Sequence, residues 1–162
     1  MRATQFLRGA VSSGEVIEAR TIAVHPGSGG RHKIWPAPQM AALCELLIQD
    51  GWQPLLIEGP ADAAAVAAVL ARLSQPVPVA RDLSLAALAS LLARCAGYAG
   101  NDSGVTHLAA LCGVPTVAVF GPTRPQVWRP LGLRVTVVEA AGGDLSSLGA
   151  DEVFEALRSG MR

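Results

Sequence analysis

Short apolar strands alternate with helical segments along most of this chain, and the connections between them are only a few residues long. Thr21 to His25 is β-branched and apolar and reads as a buried strand. From Pro36 to Asp50, apolar residues at 40, 43, 46 and 47 mark an amphipathic helix, and Gly51 stops it. The pattern then repeats. Further strands are expected at Gln53 to Ile57, Val77 to Ala80, Gly97 to Gly100, Pro115 to Phe120 and Arg134 to Val138. Further helices are expected at Ala61 to Leu73, Ser84 to Cys95 with Ser84 as N-cap, Val105 to Cys112 and Asp151 to Arg158. Strands joined through helices pair in parallel, and right-handed crossovers lay those helices on both faces. The fold class is therefore α/β: a doubly wound, mostly parallel six-stranded sheet. Residues 1–20 lack periodicity and are expected to be a linker or leader, which leaves residues 21–162 as the domain.

The bulk properties narrow the partners. A chain of 162 residues is one domain by size, able to bury roughly 70% of its unfolded surface. Thirteen basic residues balance thirteen acidic ones, so the formal net charge gives no electrostatic basis for nucleic acid or an anionic membrane. Charges and prolines interrupt every apolar run before it reaches a membrane-spanning length, and Met1 to Arg20 has no signal-peptide core. A cytoplasmic location is expected. Cys44, Cys95 and Cys112 are widely spaced among helical apolar residues and read as buried free thiols, without the paired spacing of a zinc site.

Two glycine-rich segments carry the chemistry. The first runs His25-Pro26-Gly27-Ser28-Gly29-Gly30-Arg31-His32-Lys33-Ile34-Trp35-Pro36 after the first strand, and it holds the chain's only lysine. The second, Asn101-Asp102-Ser103-Gly104-Val105-Thr106-His107, opens a helix after the fourth strand, and Phe120-Gly121-Pro122-Thr123 follows the fifth. In an open α/β sheet, ligands bind outside the carboxyl ends of the strands. Glycines at Gly27 and Gly29 let backbone N–H groups approach an anion, Ser28 adds a hydroxyl, and Arg31 and Lys33 add charge. Taken by itself, this loop is equally a tight turn with solvated basic residues. Ser103 and Gly104 head a helix whose free N–H groups suit a phosphate, while Asp102 or Ser103 can also serve simply as its cap. His107 stands one turn further on the same face as Ser103. Asp102 is expected to accept from sugar hydroxyls or loop backbone, since a carboxylate repels a diphosphate. Neither a Walker loop nor an in-register Gly-x-Gly-x-x-Gly occurs, so neither a P-loop nor a nicotinamide cofactor is indicated. No Asp-x-Asp occurs either, so a metal-bridged diphosphate site is not supported.

Together, His-Pro-Gly-Ser-x(4)-Lys-x-Trp-Pro, Asn-Asp-Ser-Gly-x-x-His-Leu-Ala-Ala and Val-x-Val-Phe-Gly-Pro-Thr resemble glycosyltransferase family 9, the heptosyltransferases that build the lipopolysaccharide inner core from ADP-heptose. The similarity runs from about Thr21 to about Val138. It implies a GT-B enzyme, inverting and metal-independent, with two Rossmann-like domains facing a cleft and no cofactor beyond its nucleotide-sugar substrate. The matching part is the C-terminal, donor-binding half. Carried over, Ser28 and Lys33 would contact donor phosphates, with Gly29 beside them, and Lys33 would stabilise charge on the leaving ADP. Asp102, Ser103, Gly104 and His107 would wall the diphosphate and the sugar. Arg81 lies in the loop expected near the nucleoside, and Glu58 and Asp62 compete for the place of an acidic residue that meets the donor.

The resemblance places the catalytic base and the lipopolysaccharide-core acceptor site in an N-terminal domain. Twenty residues before the first strand do not supply one, so the chain is expected to bind an ADP-sugar without transferring it alone. In the full enzyme it would lie peripherally at the inner face of the inner membrane. The alternative is a stand-alone or split-partner nucleotide-sugar binding module. A hydrolase or epimerase built on Asp102 and His107 is a third reading. Self-association through an uncovered cleft face is also open.

Overall fold

The computed structural model describes residues 19–162, so the expected leader lies almost wholly outside the described residues. Six strands form one sheet: β1 (Thr21–His25), β2 (Gln53–Glu58), β3 (Val79–Arg81), β4 (Gly97–Asn101), β5 (Thr116–Phe120) and β6 (Val135–Glu139). Their spatial order is β3-β2-β1-β4-β5-β6, and all five pairings are parallel. That is the doubly wound, Rossmann-like order, with its reversal between β1 and β4.

Helices α1 (Ala37–Gln49), α2 (Ala63–Leu70), α3 (Leu85–Leu92), α4 (Gly104–Leu111), α5 (Pro125–Trp128) and α6 (Ala150–Gly160) complete the fold. Side chains alternate across the strands and feed two cores. Ile22, Val24, Leu56, Val117 and Val119 pack under α1, α2 and α6 with Met40, Leu43, Val66 and Leu157. Ala23, Leu55, Ile57 and Tyr98 pack under α3 and α4 with Leu88, Leu92 and Ala109.

Element boundaries differ from expectation mainly where polar turns win. Helix α2 begins at Ala63 rather than Ala61, because Asp62 precedes it as N-cap without making a side-chain capping bond. The third strand starts two residues later than expected, at Val79, next to Pro76 and Pro78. Pro125–Trp128, expected as part of a turn, closes into one helical turn with Pro125 at its start. Ser84 caps α3, its hydroxyl accepting from the Ala87 N–H at 3.2 Å.

Candidate functional site

The sheet reversal sets β1 and β4 side by side, with His25 in register with Gly100. The glycine loop after β1 and the Asn-Asp-Ser-Gly turn after β4 therefore leave the sheet as neighbours, although more than seventy residues separate them in sequence. Asn101, fully buried at the end of β4, ties them together. Its amide donates to the carbonyls of Pro26 at 3.0 Å and Gly27 at 3.1 Å, and its Oδ1 accepts from the Trp35 N–H at 3.0 Å. One side chain thus pins both ends of the loop. Trp35, itself buried, anchors the exit through an indole N–H donated to the Leu148 carbonyl at 3.1 Å.

Above this clamp, three of the expected residues meet. Ser28 donates its hydroxyl to the Asp102 carbonyl at 2.9 Å. Lys33, in a 3-10 turn at Arg31–Lys33, places Nζ 3.4 Å from Asp102 Oδ2. The same oxygen accepts from the Thr123 hydroxyl at 2.9 Å. Asp102 is thus the junction of the loops after β1, β4 and β5. At both Gly29 and Gly104 a Cβ would meet nothing within 4 Å, so open space borders the loop and the start of α4. A cavity of about 640 Å³ also opens on the α2 side of the loop, where Ser28, Gly29, Arg31 and Asp62 contribute to its wall.

Ser103 and Asp62 face elsewhere. Ser103 is the N-cap of α4, its hydroxyl accepting from the Thr106 N–H at 3.4 Å and lying 3.3 Å from His25 Nδ1. Asp62, one of the two acids that compete for a place at the donor, turns inward: its Oδ2 lies 2.9 Å from His25 Nε2 and accepts the Gly59 N–H at 2.9 Å. The hydrogen bond from His25 is the main cause holding the Asp62 carboxyl below its ordinary value, against burial that pushes it up. Gly27 makes the arrangement possible, because a Cβ there would fall 1.9 Å from Asp62 Oδ1. Glu58, the other acid, pairs with Arg81 at 3.0 Å where β2 and β3 end in register. His107 is half-buried on α4, and its side chain makes no hydrogen bond with the described residues. It does not reach Asp102, so the two form no acid–base pair in this conformation.

Sequence reasoning missed Asn101, His25 and Thr123 as site-building residues. Each lies at the carboxyl end of a strand or just after it, which was the available signal. The type of side chain alone did not reveal which way each would turn. Among the described residues, no three His, Cys, Asp or Glu side chains gather closely enough to hold a metal ion. No helix among them is long and apolar enough to cross a membrane.

This arrangement has relatives. Residues 3–157 match the family model described as glycosyltransferase family 9 (heptosyltransferase). The chain is 31% identical over 121 residues to lipooligosaccharide heptosyltransferase 2 of Haemophilus influenzae, a match covering 72% of this chain and 35% of that protein. Among solved structures, it resembles the Escherichia coli ADP-heptose lipopolysaccharide heptosyltransferase II with a TM-score of 0.82 and 27% identity, over 91% of this chain and 48% of the other. It also resembles the E. coli heptosyltransferase WaaC solved with ADP, with a TM-score of 0.80 and 26% identity, over 88% and 44% respectively. The chain therefore spans about a third of the length of that heptosyltransferase 2 and just under half of the two solved chains. With a family model covering nearly its whole length and a Rossmann-like sheet that aligns with known heptosyltransferases, the chain belongs to glycosyltransferase family 9.

Proposed function

We propose that this domain binds the donor of a heptosyltransferase reaction, an ADP-sugar of the ADP-heptose type, for transfer to a lipopolysaccharide-core acceptor. The observation that carries the reading is the convergence at the β1/β4 reversal of a glycine loop, Lys33 and the N-terminal end of α4. Backbone N–H groups at a helix start and in a glycine loop bind phosphate oxygens without needing a metal. Lys33 lies close enough to Asp102 to be held in the resting site, yet its side chain keeps partial exposure and can exchange that carboxylate for a diphosphate. A cation there stabilises the charge that develops on the departing ADP, which is transition-state electrostatics. The similarity to a heptosyltransferase that was solved with ADP supports an ADP-bearing donor.

Inverting, metal-independent transfer needs a base to take the acceptor hydroxyl's proton. With Lys33 turned to the diphosphate, the carboxylates nearest the site still have partners: Asp62 with His25, Asp102 with Thr123, and Glu58 with Arg81. This favours a division of labour in which the domain holds the donor and a second domain supplies the acceptor site and the base. The reaction would then take place on the cytoplasmic side of the inner membrane. Titrating ADP and then ADP-heptose into the purified chain by calorimetry tests the reading. Saturable binding is expected, and Lys33→Ala should weaken it by about tenfold, the equivalent of one charge-assisted hydrogen bond. A folded sample that gives no heat at millimolar ligand would overturn it.

A further inference from the structure

We propose that His25 and Asp62 are positioning residues for the donor's diphosphate, acting through Ser103 on the first turn of α4. The proposal rests on the donor-binding reading above and names the buried machinery beneath that site.

Two elements remote in sequence converge on His25 at the end of β1: the N-cap of α2 and the N-cap of α4. The ring is buried, and both nitrogens have partners, Nε2 with Asp62 at 2.9 Å and Nδ1 with Ser103 at 3.3 Å. An ionised Asp62 only accepts, so Nε2 carries the proton and donates it. In the neutral ring Nδ1 is then left to accept the Ser103 hydroxyl proton. With its proton so directed, Ser103 Oγ presents a lone pair to the Thr106 N–H and caps α4. Thr106 donates its own hydroxyl to the Asn101 carbonyl and lies 2.9 Å from the Tyr98 hydroxyl. Tyr98 reaches it by crossing its own strand neighbour Gly100, where a Cβ would fall 2.3 Å from the phenol oxygen.

The consequence lies in direction. The far end of this network is the start of α4, where the Thr106 N–H is taken by the Ser103 cap, the N–H groups of Gly104 and Val105 come before any intrahelical acceptor, and open space borders Gly104. Holding the Ser103 cap in one orientation holds those donors in one orientation, which is preorganisation of an anion site. Asp62 would itself repel a diphosphate. Its Oδ2 turns inward and is taken by His25 and the Gly59 N–H, which ties that oxygen to the scaffold beneath the site. Ser, His and Asp here form no nucleophilic triad, because the Ser103 hydroxyl is buried and committed to the cap.

The test compares the whole chain with His25→Gln, Ser103→Ala and their double variant. Each is titrated with ADP and with inorganic pyrophosphate, and each is followed by amide hydrogen exchange and thermal unfolding. Glutamine keeps an N–H donor toward Asp62 but offers nothing at the Nδ1 position. Each single variant should weaken both ligands about fivefold, and the double variant should weaken them no further, since both changes cut the same hydrogen bond. Exchange at the Thr106 amide should quicken about fivefold while β5 amides stay protected. Ser103→Ala serves as the second probe should His25→Gln unfold, and Ser84→Ala, which uncaps α3 away from the site, should lower stability without moving affinity. If wild type binds ADP and both site variants bind it equally well, with only the melting temperature lowered, the pair is structural and the proposal fails. Weakened binding with unchanged Thr106 exchange would overturn the route through α4. Absence of binding by folded wild type would sink the donor-binding reading itself, and this proposal with it.

Discussion

At the scale of single residues, the decisive side chain is Asn101. It satisfies two carbonyls and one N–H of the glycine loop from a position with no solvent contact. Buried backbone groups that lose a partner cost about 1–3 kcal/mol each, partly relieved when water enters. Asn101→Ala should therefore destabilise the fold by roughly 3 kcal/mol, read as a drop in the denaturation midpoint. Nucleotide affinity of the protein that remains folded should fall as well. A midpoint within experimental error of wild type would contradict the clamp. The site was partly legible at this scale. Ser28, Lys33 and Asp102 are recognisable from their glycine-rich setting, and the structure brings them together. Asn101 was not singled out, since an asparagine beside Asp-Ser-Gly reads as one more turn residue until β1 lies next to it. Asp62 and Glu58 could not be separated either. Which acid turns inward depends on the space left by Gly27 and on the partner Arg81, and both contacts cross between elements.

At the scale of elements, local chemistry and tertiary contact divide the work. Ser84 caps α3 from within its own turn, and nothing distant is needed to explain it. Ser84→Ala should cost about 1 kcal/mol in thermal or chemical unfolding and leave ligand binding unchanged. Asp62 shows the opposite case. It stands at the cap position of α2, yet its carboxylate serves His25 thirty-seven residues earlier, so α2 starts without a side-chain cap. The alternation of apolar strands and helices was legible because period and turn residues are local. Boundaries shifted by two residues at the starts of α2 and β3, and α2 and α3 each end three residues sooner than expected, at Leu70 and Leu92.

Over the whole molecule, the cross-link between β1 and α2 gives stability a pH signature. Asp62 is held below its ordinary 3.8 by the hydrogen bond from His25, and burial opposes that only in part. A carboxyl depressed in the folded state stabilises the fold fully above its unfolded value, and that contribution is lost as pH falls through the folded one. Between about pH 5 and about pH 2, wild type should therefore lose melting temperature more steeply than Asp62→Asn, which carries no proton to take up. Parallel slopes would show that Asp62 does not couple to folding. Burial also pushes the Cys44 thiol up to about 12 and the Cys95 thiol up to about 11, consistent with cysteines that pack rather than react. Large exposed apolar side chains concentrate after β5, at Val127, Trp128, Leu131 and Leu133, with Leu111 at the end of α4.

The amino-acid sequence by itself determined the order of the six strands and of every α-helix except α5, the parallel doubly wound class and the position of the two glycine-rich loops. Each of these follows from periodicity and turn chemistry, which act over a few residues. Only the tertiary structure decided how the loops meet: which side chains clamp them, which acid faces inward, and which groups stand beneath the open space at α4. Those outcomes depend on the sheet reversing between β1 and β4. The reversal makes neighbours of residues more than seventy positions apart, and no local pattern specifies the contacts across it.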